Sequence, residues 1–588
     1  MSDGRLPRHR RGWLGWTIGT LVVLLLLALG WVGVRGIGAV QELQAVSDET
    51  SDLKEAIAAQ DLERAQHIAD RITRDASEAA ALVSDPVWRA FEFVPWLGAN
   101  FTAVREVAEI AASVGSDALA PVLDAADELQ LANLGFVGSS IDLTPFAAVQ
   151  EPLGAASETL SAALVRARGI DAGATLPPLQ DAVRQMRDGV EEAATVVGSL
   201  HGASVLLPTM LGAEGPRSYV VAMQNNAEIR SSGGIVGAAA LIAADAGQIR
   251  IVRNASSADF PTLDTPLEVS ESTLALFEEQ PGRYIQNTTS VPDFPEAAQL
   301  IANRWIQQFG GAVDGVIAVD TVLAQHLLSA TGPVTVGPFT IDEDNVLAFL
   351  LSEIYSAVPD PAAQDVVFAQ ASAALLAAAL SSGQTPALLG ALAESADEGR
   401  IRIWSAHETE QAILAETALA GTLPTDAEDA VWVGALFNDT TGGKMDYYAD
   451  AAFTIATGVC SGAPTTRVQV TWTNDAPLDA ATALPPYVTA AGWYGVPAGE
   501  TRTLVAVYGP QGATPVRVDR DGADEQVQTA VLDGRTVLQH SVQLAPGEST
   551  TITVDFTGTG AGERLTELAH TPLLSDPEVT RESIDCGS

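Results

Sequence analysis

Apolar and polar positions fall into four regimes of spacing along the chain. Trp13 to Val34 reads WLGWTIGTLVVLLLLALGWVGV, 22 residues without a charge. At about 1.5 Å per residue, a helix of this length crosses a hydrocarbon core of about 30 Å. Beyond it, from 36 to 208, the spacing becomes helical. Leu53, Ile57, Leu62, Ile68 and Ile72 recur on one face, with Glu55, Asp61, Glu63 and Asp70 between them. Pro86 and Pro95 interrupt the pattern, and further helices are predicted near 99–132, 145–168 and 176–203. Short Gly-, Pro- and Asp-bearing links join them, which predicts a helical bundle or stalk.

The third regime, 209–425, alternates strand-like and helix-like runs. SYVVAMQNN is a β-rich run that ends in polar residues, and GGIVGAAALIAADAGQIRIV reads as two strands about a DAG turn. Asp293–Gly310, TVLAQHLLSATG, Asp344–Tyr355 and Gln364–Ser381 read as helices, VDGVIAVD and PVTVGPFTI as strands. That order predicts an α/β central domain. The fourth regime, 430–588, holds VWVGALF, YYADAAFTIATGV, TRVQVTWTN, TRTLVAVYG, TPVRVDR, TVLQHSVQL and TTITVDF, separated by turn residues. It predicts an antiparallel β-sandwich. The expected fold class is therefore multi-domain α+β behind an N-terminal membrane helix.

Charge orients that helix. Arg5, Arg8, Arg10 and Arg11 precede the apolar run, with Asp3 the only acid, whereas the chain as a whole carries 31 basic and 74 acidic residues. The excess of arginine on one side predicts a cytoplasmic tail at 1–12, a transmembrane helix at 13–34 and an extracytoplasmic body at 36–588. Trp13, Trp16 and Trp31 stand near its ends, as interfacial anchors do. A cleaved signal peptide is the other reading, with Gly36-Ile37-Gly38 as the small-x-small site, but the apolar run exceeds the usual ~7–15 residues. The net charge of −43 argues against a nucleic-acid partner. Two cysteines, Cys460 and Cys586, exclude zinc ribbons and iron–sulfur sites. In an oxidising compartment they are expected to form a disulfide.

Motifs for nucleotide, zinc-protease and serine-hydrolase chemistry are missing, and the seven histidines are scattered. The densest polar segment is Gln224–Gly237, QNNAEIRSSGGIVG. Asn225, Asn226, Glu228, Arg230, Ser231, Ser232, Gly233 and Gly234 are its ligand-binding candidates. Arg230 could hold a phosphate or carboxylate in bidentate fashion, and the glycines could let backbone approach a ligand. The same residues also make an elaborate turn. Asp259, Asp264, Asp293, Asp314 and Asp320 lie near predicted strand or helix ends, where hard oxygen ligands could hold Mg²⁺. Four of them, Asp259, Asp293, Asp314 and Asp320, are the metal candidates.

The ordered segments GPRSYVVAMQNNAEIRSSGGIVGA, DFPEAAQLIANRW, VDGVIAVD, LLSATGPV, FNDTTGGKMDYY and LPPYVT resemble a bacterial, actinobacterial-type family of single-pass membrane proteins known as a domain of unknown function. The central region also resembles, more distantly, the LytR-CpsA-Psr family. That resemblance implies outward-facing transfer of glycopolymers from polyprenyl-pyrophosphate carriers to the cell wall. Arg230-Ser231-Ser232 stands where that family has Arg-Ser-Asp, and Asp314-Gly315-Val316 with Thr331-Gly332-Pro333-Val334 echo its later motif. Two departures bear on chemistry. The third residue of the first motif is Ser232, and no arginine or lysine occurs between Arg304 and Arg400. Three functions follow as expectations. The first is an envelope protein that binds or organises surface polysaccharide or its polyprenyl-phosphate carrier. The second is a Mg²⁺-dependent phosphotransferase in which Arg217, Arg253, Arg283 or Arg304 replaces the missing arginines. The third is a non-catalytic scaffold for an envelope synthase or transporter.

Overall fold

The computed structural model describes residues 10–588 except 60, 130–139, 382–384, 428–429, 559–564 and 585–588. The chain divides into two compact units, one of Met1–Asn133 with Leu143–Pro208, the other of Leu134–Asp142 with Thr209–Ser588.

The first unit is helical. Its helices are α1 (Arg10–Ala58), α2 (Leu62–Val83), α3 (Pro86–Phe91), α4 (Gly98–Val114), α5 (Ala120–Leu129), α6 (Thr144–Arg168) and α7 (Pro177–Met210). The membrane-length run lies inside α1, whose 49 residues continue unbroken past it. Leu26, Leu27, Leu29 and Val34 are exposed, and α1 is a candidate membrane span by length and composition. The stripe from Leu53 to Ile72, expected on one helix, is split between two. Asp61 caps α2 by accepting from the Arg64 N–H at 3.0 Å, so the chain turns and packs α2 back on α1. Leu53 and Ala56 of α1 then meet Ile68, Ala69 and Ile72 of α2. The helices expected at 145–168 and 176–203 are α6 and α7. The one expected at 99–132 is α4 and α5 joined by a π-helical turn at Gly115–Leu119, and its last residues lie outside the described ones.

Among the described residues, the second unit contains three large sheets and a small hairpin. The first sheet has the order β3-β2-β1-β4-β7, where β1 is Arg217–Arg230, β2 Gly233–Asp245, β3 Gln248–Ser256, β4 Gly315–Val319 and β7 Ile401–Ser405. β5 (Val334–Val336) and β6 (Phe339–Ile341) make the hairpin. The α/β expectation needs correction here. Only β1 and β4 pair in parallel, and every other pairing in this sheet is antiparallel. β1 and β2 form a hairpin that needs no crossover helix, so the sheet is mixed. Phe294–Phe309 covers one face and buries Phe294, Ile301 and Trp305 against Val220, Val236 and Val316 of the sheet.

The remaining strands are β8 (Ala430–Asp439), β9 (Ala449–Cys460), β10 (Ala463–Asn474), β11 (Thr501–Gln511), β12 (Thr514–Arg520), β13 (Ala523–Asp524), β14 (Gln528–Leu532), β15 (Arg535–Leu544), β16 (Ser549–Thr557), β17 (Leu565–His570) and β18 (Glu578–Ser583). They form two sheets, β13-β12-β16-β10-β9-β18 and β14-β15-β11-β8-β17. Alternating residues of both enter one core, among them Phe437, Phe453, Trp472, Val507, Leu538 and Phe556. Neither sheet is purely antiparallel, as had been expected. β17 pairs in parallel with β8, and β18 with β9, because the last segment returns along both edges in the direction of the strands it joins.

Candidate functional site

The polar run Gln224–Gly237 is not a loop. Its first half continues β1, and Arg230 pairs with Gly233 across a two-residue turn of Ser231 and Ser232. Between Asn225 and Ile229 the register slips, because Asn225 faces Ile235 while Ile229 faces Gly234. Asn226, Ala227 and Glu228 therefore bulge out of the ladder. A bulge re-aims side chains, and this one sends Glu228 away from β2 toward Lys444.

The hairpin tip is buried and its polar groups are saturated by protein. The Ser231 N–H donates to Asn438 Oδ1 at 3.0 Å, and Asn438 Nδ2 donates to Ser231 Oγ at 2.8 Å. Ser232 Oγ donates to the Thr289 carbonyl at 3.0 Å. Asn226 donates to Asp320 at 2.9 Å and Asn225 to the Tyr355 hydroxyl at 2.9 Å. The glycines have a packing reason. A Cβ on Gly234 would stand 2.4 Å from the backbone carbonyl of Asn225, and one on Gly233, where φ is +132°, 2.5 Å from Gln224 Oε1. Gly234→Ala is therefore expected to destabilise the second unit by about 1–3 kcal/mol. Had the glycine served ligand approach alone, a denaturation curve of the variant would match the unmodified protein.

Glu228 and Arg230 remain as the chemically notable pair. Arg230 donates to Glu228 Oε1 at 3.0 Å, to Asn287 Oδ1 at 3.2 Å and to its neighbour's carbonyl at 2.8 Å. Lys444 donates to the other oxygen, Glu228 Oε2, at 2.7 Å. Two cations thus share one carboxylate, and all three groups are buried. Burial alone would raise the Glu228 pKa, but Lys444 and Arg230 hold it below the ordinary value. Burial alone would likewise lower that of Lys444, and Glu228 holds it above the ordinary value. Two further carboxyls crowd the triad. Burial, followed by the charge of Glu228, pushes Asp439 up to about 6. Burial and Asp439 push Asp446 well above the usual carboxylate range, while its Oδ2 accepts the Ile229 N–H at 2.9 Å.

This cluster forms one end of a cavity of about 1590 Å³. Small-molecule sites occupy roughly 300–1,000 Å³, so the space suits something larger. Its body is apolar. Val221, Ile235 and Ile242 come from the first sheet, Leu323 and Leu327 from the helix Thr321–Thr331, and Phe368 and Leu375 from the helix Pro361–Ser381. The charged residues of the cluster that line it are Glu228, Arg230, Asp439 and Lys444, joined by Arg502. Tyr487, Trp493 and Tyr494 line the cavity beside them and are exposed.

The acidic candidates do not converge. Asp320 lines the cavity, but its oxygens accept from the N–H groups of Val322 and Leu323, from Asn226 and from Arg400. Asp259 accepts the Ser256 N–H at 2.8 Å. Asp293 precedes the helix Phe294–Phe309, and Asp314 pairs with His407 at 3.0 Å and accepts the Ser218 N–H. The four replacement arginines are likewise committed elsewhere. Arg217 binds Glu410, Arg253 lies over Phe309, Arg283 binds Glu279 and Arg304 donates to the Pro261 carbonyl. The cations that do line the cavity with Arg230 are Lys444 and Arg502, which sequence reasoning passed over. The available signal was FNDTTGGKMDYY, which holds one of only two lysines in the chain.

Residues 214–355, from the approach to β1 through Tyr355, match the model of a family described as a protein of unknown function, DUF4012. No curated protein matches the chain.

Proposed function

We propose that the second unit binds an amphiphile, with a long apolar chain in the cavity and an anionic head at the Arg230–Lys444 end. One observation carries this reading: a large cavity with many apolar wall residues also includes a buried cluster of two cations and their shared carboxylate. The apolar α1 with its arginine-rich flank supports a membrane-anchored protein whose residues 36–588 lie outside the cytoplasm. In that setting the favoured ligand is a polyprenyl phosphate that carries surface polysaccharide. The β8–β18 segment, read as a sandwich beside the LytR-CpsA-Psr-like region, would offer a second face to the envelope. Binding or organising the carrier fits better than the Mg²⁺-dependent transfer reading. The donor set does not fit Mg²⁺, because the oxygens of Asp320 are already engaged by four donors and the other candidate acids lie apart.

The test is equilibrium binding by the full chain in lipid nanodiscs, using a fluorescent polyprenyl phosphate. Competition by the unlabelled phosphate is expected to be strongest. The chain without its phosphate, and a short-chain phosphate, should each compete weakly. Equal competition by all three, or none by any, contradicts the proposal.

Acidity should tune the head-group end. Asp439, near 6, gains a negative charge as pH rises from 5 to 7, beside Glu228, Arg230, Lys444 and Asp446. Affinity for a long-chain sulfate, whose own charge is constant, is therefore expected to fall over that range. The sign for stability agrees. A carboxyl with a raised folded pKa contributes stability that is fully present below the ordinary carboxylate pKa and is lost as pH rises from there through the folded value. A flat affinity profile for the sulfate would remove Asp439 from the account.

The disulfide belongs to the same proposal. Cys460 ends β9, and Cys586 lies outside the described residues. β18 runs parallel to β9 with Ser583 opposite Thr457, and the Ile584 N–H donates to the Thr457 carbonyl at 2.8 Å. β18 thus runs toward the Cys460 end of β9, which supports pairing. Loop-closure entropy for so long a loop gives up to about 4–5 kcal/mol. Peptide mass spectrometry without reductant should find Cys460 joined to Cys586, and alkylation of Cys460 before reduction would contradict this.

A further inference from the structure

We propose a divalent-cation site formed by His326, Glu394 and Glu398, separate from the charged end of the cavity. One ligand atom from each lies within 4.8 Å of those from the other two. His326 comes from the helix Thr321–Thr331 and Glu394 from the helix Thr385–Asp397. The Glu398 N–H still donates to the Glu394 carbonyl at 3.0 Å, so the two carboxylates stand one helical turn apart on one face. Two helices distant in sequence thus present one imidazole and two carboxylates to a common point.

The way the imidazole is held suits a cation there. Ser395 Oγ donates its only proton to the Ala391 carbonyl at 2.6 Å. It stands 2.9 Å from His326 Nδ1, so that contact requires Nδ1 to carry the hydrogen and Ser395 to accept it. Nε2 then faces the side of Glu398 and is the nitrogen available to a metal ion. Glu398 Oε2 is 4.0 Å away, beyond hydrogen-bond range. A divalent cation bound by Nε2 and the two carboxylates would offset their charge, beyond what Arg400 does at 3.0 Å from Glu398. Holding the far nitrogen by a hydrogen bond is also how proteins orient a metal-binding histidine.

The ligand set suits Zn²⁺. Bonds of about 2.0–2.2 Å to nitrogen and oxygen place tetrahedral ligands about 3.3–3.5 Å apart. Glu394 is exposed and can swing to close that gap. A set of three protein ligands leaves a fourth position for water. The site also connects to the cavity. Leu323 and Leu327, which flank His326 in sequence on the same helix, line it. Glu398 accepts from Arg400 at 3.0 Å, and Arg400 reaches Asp320 at 3.3 Å. An ion here would pin the helix that walls the cavity to the helix bearing Glu394.

The experiment uses the full chain, purified without a histidine tag, stripped with chelator and returned to lipid nanodiscs. Titration with Zn²⁺ is expected to saturate at one ion per chain and to raise the melting temperature. Titration with Co²⁺ should give visible absorption bands of a four- or five-coordinate nitrogen–oxygen site. His326→Ala should abolish both signals, and Ser395→Ala should weaken affinity about 10–100-fold through the freed imidazole. Glu394→Gln changes an exposed residue and keeps the test valid if His326→Ala misfolds. It too should weaken binding. No saturable binding, or binding untouched by Glu394→Gln, overturns the proposal.

Discussion

Glu228→Gln is expected to destabilise the second unit by about 3–5 kcal/mol, the usual cost of breaking a buried ion pair from one side. The variant leaves Arg230 and Lys444 buried without their shared counter-charge. Denaturant unfolding followed by tryptophan fluorescence reads the loss. The double variant Glu228→Gln, Lys444→Met should recover part of it, because it removes one stranded cation. Asp446→Asn provides the contrast. Burial and Asp439 push Asp446 well above the usual carboxylate range, toward the neutral form that an amide resembles, so this variant should shift stability far less. The pH dependence of Glu228 has the opposite sign to that of Asp439. Its folded pKa is depressed, so its contribution is present above the ordinary carboxylate pKa and is lost as pH falls through the folded value. Equal losses from Glu228→Gln and Asp446→Asn would show that the two buried carboxyls are not in different protonation states.

A loss of similar size, about 3–5 kcal/mol, is expected for Trp472→Ala. Trp472 is 1% exposed, stacks on Phe437 with ring centroids 4.4 Å apart and donates to Thr503 Oγ1 at 3.3 Å. Its removal opens a void where β8 and β10, from different sheets, meet. The consequence should reach the candidate site. Ile229, at the end of β1, is packed in the same core, and its N–H is held by Asp446. Weakening that core should loosen the hairpin tip that carries Arg230. Amide hydrogen exchange is therefore expected to quicken at Ile229–Ser232 as well as within β10. Protection unchanged at Ile229–Ser232 would mean the tip is held independently of this core.

Much of the architecture was legible in the hydrophobic pattern. The apolar stretch in α1, the helices α6 and α7, and most of the strands from β8 to β16 follow from spacing and turn residues. Topology was less so. Whether β1 pairs in parallel or antiparallel depends on long-range partners, and β17 and β18 are edge strands with weak alternation. The site was half legible. Arg230 and Glu228 drew notice through the density of polar residues, but that density also misled. Asn226, Ser231 and Ser232 are polar because the buried hairpin must satisfy its own donors and acceptors, and Gly233 and Gly234 are small because strands approach closely there. Lys444 lies 216 positions from Glu228, and no local pattern announces so distant a partner. The bulge at Asn226–Glu228, which aims Glu228 toward it, has no sequence signature apart from the interrupted alternation.

The most direct test of the central claim maps where each end of the amphiphile lies. Two polyprenyl phosphates would be used, one with a diazirine at the chain terminus and one with it beside the phosphate. Each would be crosslinked to the full chain in nanodiscs and the labelled peptides identified. The account predicts that the chain terminus labels the helices Pro361–Ser381 and Thr321–Thr331, while the head labels the segments bearing Arg230 and Lys444. Labelling confined to α1, or the same peptides labelled by both probes, would contradict it.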